Sequence, residues 1–209
     1  MTNIWEPAFK ETDVEIETSD SVFSGHFEAN RLKLRHRKFS GDWSAWLHRE
    51  QVKPFNSAAV ILYDPKRDQV VMIEQFRVGA LNEKNRAPWL LEVVAGYIEA
   101  HEAPPEAIKR EALEEAACEI KALYPILNYY PSPGGVTEKT NVYCGLCDAS
   151  KAGGIHGSPL EDEDIKVHVL SALDVFKLLE EGMMTSSATV IALQWLKMNR
   201  DHLRSVGYL

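Results

Sequence analysis

Cysteine is scarce in this chain of 209 residues, which contains only Cys118, Cys144 and Cys147. A small, odd number of cysteines argues against a disulfide scaffold and suits a reducing compartment, so we expect a cytoplasmic protein. Cys144 and Cys147 have the spacing of a zinc-binding pair, but the sequence has no second pair. They also fall in an expected strand, where positions three apart point to opposite faces. We therefore expect neither a zinc site nor a redox site here.

Long apolar runs and an excess of basic residues are also missing. No apolar run approaches the ~20 residues that a membrane helix needs, and we expect that the N-terminal segment is not a signal peptide. The chain has 23 Lys and Arg against 31 Asp and Glu, a formal net charge of -8. This balance argues against binding to nucleic acid or to an anionic membrane. It permits binding of a phosphorylated small molecule, because a bound metal can supply local positive charge.

Alternating apolar and polar residues predict several short strands within residues 13–48, with a hairpin turn at residues 40–42. A small, half-polar sheet of this kind is not stable alone, so it must pack on the main domain or on a partner subunit. We expect residues 1–54 to form this N-terminal β-sheet element and residues 55–209 to form the main domain.

The pattern of the main domain predicts a mixed α/β layered fold. Apolar segments bounded by turn residues predict strands, and segments with helical spacing predict two C-terminal helices, the first closed by Gly182. The strands are expected at residues 58–63, 69–76, 89–95, 120–130, 141–147 and 165–170, and the helices at 173–181 and 187–199. We expect a long loop between the last two strands.

One segment, residues 96–118, combines a helical pattern with clustered acidic residues. Pro104 and Pro105 suit the first turn of a helix, and the alanines that follow favour its continuation. Glu111 and Glu115 are four residues apart, so they share one helix face about 5–6 Å apart. Such a like-charged pair destabilises a helix by roughly 0.2–0.5 kcal/mol, and a bound cation would reverse this effect. The alternative is a solvated acidic face.

The spacing in this segment is specific: Gly96, then Glu102 after five residues, then Arg110 and Glu111 after seven more, then Glu114 and Glu115. It resembles the Nudix box of the Nudix hydrolases, in which the same residue types have the same spacing. Ala112, Cys118 and Ala117 depart from the pattern, the first two at bulky apolar positions and the third at a glycine. Because alanine favours helix, we expect a slightly extended helix end with the chemistry intact.

A cluster made only of glutamates favours hard cations, so Mg²⁺ is the favoured cofactor and Mn²⁺ the second candidate. Such ions can bridge a diphosphate and orient a water molecule for attack on phosphorus. The segment therefore predicts hydrolysis of a diphosphate bond in a small molecule. The resemblance implies that the metal ligands are the Ala95 carbonyl, Glu111, Glu115 and Glu163.

Residues 154–157 and 161–169 resemble the base-bearing loop of ADP-ribose pyrophosphatases, a branch of the Nudix family. This resemblance implies that Glu161 is the general base and Glu163 a metal ligand, although these two residues and Asp162 remain interchangeable at this point. It also places Arg110 and Glu114 in the catalytic set, with Arg110 orienting the glutamates. From the residues alone, a solvated acidic loop is the alternative.

Residues 73–77, 88–96 and 132–138 resemble the same branch, which implies a Nudix-type α/β/α sandwich with a mixed sheet. In this branch the N-terminal antiparallel sheet is exchanged across a homodimer. Phe27 would then stack near the adenine, for which a buried strand position is the alternative. Arg77 would bind substrate, for which a surface charge is the alternative. The implied substrate-binding residues are Phe27, Arg49, Glu50, Arg77, Tyr97, Ser132, Pro133, Gly134 and Glu138.

Three functions are consistent with these patterns. The favoured one is an ADP-ribose pyrophosphatase that uses Mg²⁺ and releases AMP and ribose 5-phosphate. The second is hydrolysis of GDP-mannose or another nucleotide sugar. The third is a non-catalytic module that binds ADP-ribose as a sensor, against which the intact Glu111, Glu114, Glu115 and Glu161 argue.

Overall fold

The structure, a computed structural model, describes residues 4–158 and 162–207. The chain forms two compact units. The first comprises the N-terminal residues up to Phe55 together with Tyr130–Glu138, and the second comprises Asn56–Tyr129 together with the residues from Lys139 onward. No helix in the described ranges is long and apolar enough to span a bilayer.

The first unit is built on a three-stranded antiparallel sheet in the order β1, β2, β3. The strands are β1 (Val14–Ser24), β2 (Glu28–His36) and β3 (Leu47–Lys53). The predicted turn at residues 40–42 is confirmed, since the Lys38 N–H donates to the Asp42 carbonyl at 2.8 Å. Two tryptophans after this turn pack against basic side chains of β2, with Arg35 4.7 Å from the Trp43 ring centre and 4.9 Å from that of Trp46.

The second unit contains an eight-stranded mixed sheet and three helices. Its strands run in the order β10, β11, β5, β4, β9, β8, with β6 paired to β5 and β7 paired to β4. Strands β4 and β9 are parallel and the other pairs antiparallel. The strands are β4 (Ser57–Asp64), β5 (Gln69–Phe76), β6 (Trp89–Glu92), β7 (Val94–Tyr97), β8 (Ala122–Tyr129), β9 (Thr140–Leu146), β10 (Gly154–His156) and β11 (Ile165–Ser171), and the helices are α1 (Pro104–Ala116), α2 (Ala172–Glu180) and α3 (Ser187–Val206).

Both faces of this sheet are covered by helices, so the predicted α/β/α sandwich is confirmed. One core cluster joins Ile61 and Met72 to buried residues of α2 and α3. The other joins Leu62 and Ile73 to Ile108 and the buried alanines of α1. Neighbouring residues of β4 and β5 thus point to opposite helical layers, as the two-residue period of a strand requires. Burial of both faces explains why these strands read as continuous apolar runs.

Two boundaries differ from the sequence-based expectation. The segment expected to be one long loop before β11 contains the short strand β10, which pairs with β11. Helix α3 extends to Val206, beyond the expected end at residue 199, because Leu203 continues its buried face.

The two cysteines of the Cys-x-x-Cys pair lie in opposite core clusters, Cys144 in the first and Cys147 in the second. Both are buried in the core.

A polar network attaches the β4–β5 turn to α3. The Asp68 carboxylate accepts a hydrogen bond of 2.8 Å from the Tyr63 hydroxyl and one of 2.7 Å from Nε of Arg200. Arg204 lies 3.0 Å from the same carboxylate. Hydrogen bonding from Arg200 is the main reason that the pKa of Asp68 is lowered. This network is charged, largely desolvated and made of residues far apart in sequence, so it stabilises the packing of α3 on the sheet.

Candidate active site

Helix α1 supplies the acidic residues of the candidate site. Pro104 and Pro105 occupy its first positions, where a missing backbone N–H costs nothing. The helix ends at Ala116 because Ala117 adopts the left-handed conformation, with φ 47°. The Ala117 N–H donates to the Leu113 carbonyl at 3.1 Å, as in the αL C-cap motif, and the Cys118 N–H donates to the Ala112 carbonyl at 2.9 Å. The expected extension of the helix is therefore wrong: alanine takes the conformation that glycine adopts more easily.

Arg110 binds four groups of the site at once. Its guanidinium donates two hydrogen bonds of 3.1 Å to the Glu102 carboxylate and one of 3.3 Å to the Tyr97 carbonyl. It also donates bonds of 2.9 Å to Glu111 and to Glu114. The hydrogen bonds that Arg110 donates to Glu102 are the main cause of its raised pKa, and they in turn lower the pKa of Glu102. Arg110 thus fixes three carboxylates relative to one another, as sequence reasoning expected of an orienting residue.

Gly96, in β7, lies directly under Glu111. A Cβ atom added to Gly96 would overlap the carboxylate and Cγ of Glu111. Only glycine therefore allows β7 and α1 to approach this closely, which explains the glycine of the predicted box. Burial raises the pKa of Glu111, while the neighbouring Arg110 opposes this effect.

Glu115 is the most buried carboxylate of the cluster, with 4% of its surface exposed. Its Oε2 accepts a hydrogen bond of 3.2 Å from the Ala95 N–H. Burial raises its pKa to about 8, and the negative charges of Glu111 and Glu163 add to the effect, while Arg77 opposes it. A buried carboxylate that is repelled by its neighbours is one that a cation would stabilise.

The acidic segment before β11 contributes at least Glu163. Its carboxylate accepts a hydrogen bond of 3.1 Å from the Ser158 N–H, and its charge raises the pKa of both Glu111 and Glu115. The structure therefore places Glu163 within electrostatic range of both helix glutamates, from a segment about fifty residues later in the chain. Glu161, the expected general base, lies outside the described residues, and Asp162 has a positive φ of 55°.

The chemistry of these donors fits a divalent cation of the Mg²⁺ or Mn²⁺ type. Three carboxylates that repel one another, Glu111, Glu115 and Glu163, offer only oxygen ligands, which hard cations prefer. Among residues 4–158 and 162–207, no three acidic, histidine or cysteine side chains already surround one point as ligands. Arg110 and the Ala95 N–H donate hydrogen bonds to carboxylate oxygens of Glu111 and Glu115 that a cation would take.

Arg77 and Tyr97 lie on the same unit as the carboxylate cluster. Nε of Arg77 donates a 2.6 Å hydrogen bond to Glu92, whose side chain is buried. The Tyr97 ring is half-exposed, and its carbonyl accepts from Arg110. Sequence reasoning singled out Arg77 but missed Glu92, since a glutamate at the end of an apolar strand belongs to no motif by itself. The strand pairing of β5 with β6 brings the two residues together.

The remaining candidate residues belong to the first unit. Phe27 lies in the turn between β1 and β2, is 41% exposed and stacks on Phe23 with ring centres 5.4 Å apart, so the alternative of a buried strand residue is wrong. Arg49 and Glu50 of β3 line a cavity of about 170 Å³ together with Pro133 and Gly134. Ser132 accepts backbone hydrogen bonds that shape the same turn, and Glu138 ends this unit half-buried.

Comparison with known proteins decides the family. The NUDIX domain model matches residues 53–193 of the chain. This protein belongs to the NUDIX family. The match includes helix α1 and Glu163.

Two ADP-ribose pyrophosphatases match nearly the whole length of this NUDIX protein. It is 41% identical over 197 residues to an ADP-ribose pyrophosphatase of Escherichia coli strain K12, with 94% of each chain covered. It is 39% identical to an ADP-ribose pyrophosphatase of Haemophilus influenzae, covering 94% of this chain and 91% of the relative. A GDP-mannose pyrophosphatase of Cronobacter sakazakii is 35% identical over 68% of this chain and 74% of its own length.

A solved structure described as an ADP compounds hydrolase has the same fold. It superposes with a TM-score of 0.68 and 20% sequence identity, covering 94% of this chain and 97% of its own. At this identity the likeness concerns the fold alone.

Proposed function

We propose that this NUDIX protein hydrolyses the diphosphate bond of ADP-ribose to AMP and ribose 5-phosphate with the help of Mg²⁺. The observation that carries the proposal is a cluster of mutually repelling carboxylates. In it Glu115 is buried, Glu111 packs on Gly96, and the exposed Glu163 lies within electrostatic range of both. The choice of ADP-ribose rests on relatives of that name that match along 94% of the chain. Mn²⁺ is the second candidate for the cation.

The residues have distinct roles in this proposal. Glu111, Glu115, Glu163 and the Ala95 carbonyl would hold the cation, which when bound neutralises diphosphate charge and lowers the pKa of water. Glu161 accepts a proton from the attacking water, and Arg77 binds a phosphoryl oxygen. Arg110 orients the glutamates through its hydrogen bonds, and Glu114 completes this network. To bind the cation, Glu111 would have to give up its hydrogen bond with Arg110.

The first unit supplies the nucleoside contacts in this proposal. Phe27 offers an exposed aromatic face, which stacks on a purine with about 1–3 kcal/mol by analogy with nucleic-acid bases. Arg49 and Glu50 offer charged hydrogen-bonding groups beside an open cavity. Ser132, Pro133, Gly134, Glu138 and Tyr97 complete the proposed substrate contacts.

We also propose a homodimer in which the N-terminal sheet contacts the neighbouring subunit, so that Phe27, Arg49 and Glu50 reach the partner's ligand. Exposed apolar side chains on β1 support this, since Ile16 is 60% and Phe23 51% exposed. Sedimentation of the purified protein tests it, and a monomer at micromolar concentration would refute it. Buried cysteine thiols suit a reducing compartment, so we propose the cytoplasm.

Hydrolysis of GDP-mannose is the second candidate, favoured by the relative of that name at 35% identity. A direct comparison of kcat/KM for ADP-ribose and GDP-mannose with Mg²⁺ decides between them. We expect ADP-ribose to be preferred, and a tenfold or greater preference for GDP-mannose would overturn the choice. Binding heat with ADP-ribose and Mg²⁺ without AMP release would instead indicate the sensor module.

A further inference from the structure

Gln75 is a buried residue whose amide nitrogen has no hydrogen-bond partner. It is 8% exposed, and its Nε2 is the one buried side-chain nitrogen or oxygen without a partner in residues 4–158 and 162–207. A buried donor without an acceptor destabilises the folded protein, so native structures rarely retain one without a reason. Gln75 lies in the central strand β5, where an apolar residue would pack without this cost.

The face of β5 on which Gln75 lies is the face of the carboxylate cluster. Ile73 belongs to the core cluster of α1, and Met72 to the opposite cluster. Two-residue steps from Ile73 place Gln75 and then Arg77 on the α1 side. Arg77 continues the extended backbone, with φ -127° and ψ 111°, and its charge acts on Glu115. Gln75 therefore lies between the core under α1 and the charged site.

The neighbouring strands place the same residue beside the acidic segment. Gln75 pairs with Leu90 of β6, and two residues along this ladder Ile73 pairs with Glu92. On its other side, Glu74 pairs with Lys166, so the next step of that register sets Ile165 beside Gln75. Ile165 is the first residue of β11, directly after the segment that contains Glu163. Gln75 thus lies between β6, the strand that contains Glu92, and the first residue of β11, the strand that follows Glu163.

The acceptors around this face are already engaged. Glu92 binds Arg77, Glu115 binds the Ala95 N–H and Glu163 binds the Ser158 N–H. A carboxamide offers two N–H donors and no charge. A bound molecule rich in oxygen atoms would supply the acceptor that Nε2 of Gln75 lacks among the described residues.

We propose that Gln75 is a substrate-binding residue whose Nε2 donates a hydrogen bond to an oxygen of the bound diphosphate sugar. The inference rests on the proposed function for the class of substrate. A phosphoryl oxygen and a hydroxyl of the terminal sugar are both acceptors of the right kind. In either case the destabilising polar group is kept in the core because it gains its partner when substrate binds.

The test is Gln75→Met, which preserves the length of the side chain and removes the donor. Gln69→Met is the matched control: it changes the same residue type on the same face of β5, about 20 Å away along the strand. For Gln75→Met we expect kcat/KM for ADP-ribose to fall at least fivefold while the Tm of the ligand-free protein stays equal or rises. Gln69→Met should keep the wild-type kcat/KM.

If Gln75 had a purely structural role, the Tm of Gln75→Met would fall, and any loss of activity would accompany that lower Tm. The inference is therefore overturned if Gln75→Met loses less than fivefold in kcat/KM, or if its Tm falls. Calorimetric Kd values for ADP and ADP-ribose then identify the acceptor. Weaker binding of both ligands by the variant assigns a phosphoryl oxygen, and weaker binding of ADP-ribose alone assigns a sugar hydroxyl.

Failure of the proposed function would be visible separately, in the wild-type protein. If the wild type cleaves GDP-mannose in place of ADP-ribose, the two glutamine variants are compared on GDP-mannose with the same thresholds. If the wild type cleaves neither, the proposed function fails and Gln75 is judged on the Kd for ADP-ribose. An unchanged Kd in Gln75→Met overturns the inference, and one at least fivefold weaker supports it.

Discussion

Arg110 and Glu102 form a two-pronged ion pair in which Nε lies 3.1 Å from Oε1 and Nη2 lies 3.1 Å from Oε2. The pair joins the loop before α1 to the helix, and the remaining Nη1 binds Glu111 and Glu114 at 2.9 Å. A planar guanidinium makes this set of bonds, whereas an ammonium group does not. The position of two helix carboxylates thus depends on one side chain.

Arg110→Lys should therefore lower kcat about 10- to 100-fold and raise the Mg²⁺ concentration needed for half-maximal rate. Lysine keeps the positive charge but cannot make the two parallel hydrogen bonds that Arg110 donates to Glu102. Steady-state rates across a magnesium titration measure both effects. Lys109→Ala, which removes the neighbouring exposed cation, is the control and should leave the rate unchanged. A variant Arg110→Lys with more than half of the wild-type rate would refute the orienting role.

Glu115→Gln should reduce activity by several orders of magnitude without loss of stability in the metal-free protein. Burial and the charges of Glu111 and Glu163 already favour a neutral side chain at this position. Rates with Mg²⁺ and the Tm in a chelator test the two halves of the prediction. Glu106→Gln, at an exposed position of the same helix, is the matched control. Retention of more than a tenth of the activity by Glu115→Gln would show that Glu115 is no metal ligand.

Ala117→Gly should stabilise the protein by up to about 1 kcal/mol, because the φ of 47° costs alanine roughly 1–2 kcal/mol and glycine much less. Part of the gain is offset by the greater freedom of glycine in the unfolded chain. Ala116→Gly, one residue earlier and still helical, should destabilise by about 1 kcal/mol. Urea unfolding of the two variants measures the contrast. Equal effects at both positions would mean that Ala117 does not end the helix.

Asp68→Asn should weaken the protein at neutral pH by about 1.5–3 kcal/mol, because charge-assisted hydrogen bonds to Tyr63 and Arg200 are lost. Asparagine tolerates the positive φ of 56° at this position. Since the pKa of Asp68 is lowered on folding, its contribution is present above its ordinary pKa of about 3.9 and is lost as the pH falls through the lowered value.

The difference between wild type and Asp68→Asn should therefore shrink below about pH 4. Unfolding free energies from pH 7 down to pH 3 measure it. A difference that stays constant over this range would mean that the carboxylate charge of Asp68 does not stabilise the packing of α3.

Helix α1 was predictable because the sequence signals that specify it are local. The proline pair, the alanines and the i to i+4 spacing of Glu111 and Glu115 all act within four turns of helix. The position of Ala117 was not predictable in the same way. Helix propensity favours continuation there, yet the chain turns away because Cys118 enters the core and the N–H groups of Ala117 and Cys118 cap the helix carbonyls.

Contacts between segments far apart in the chain could not be predicted from the sequence, for a different reason. Arg77 and Glu92 come into contact only because β5 pairs with β6. The missing hydrogen-bond partner of Gln75 Nε2 can be recognised only from the tertiary structure around it. Strand β10 has three residues, too few for an alternating pattern to be read. The exposure of Phe27 follows from the turn between β1 and β2, which falls inside a segment that alternates like a strand.

Hydrolysis of ADP-ribose in ¹⁸O-labelled water, with and without Mg²⁺, tests the central claim most directly. With Mg²⁺ we expect AMP and ribose 5-phosphate in equal amounts, with one ¹⁸O atom in one of the two products, and with a chelator we expect neither. Cleavage that continues in the chelator, or no AMP at any Mg²⁺ or Mn²⁺ concentration, would contradict the assignment of the Glu111, Glu115 and Glu163 cluster to metal-dependent diphosphate hydrolysis.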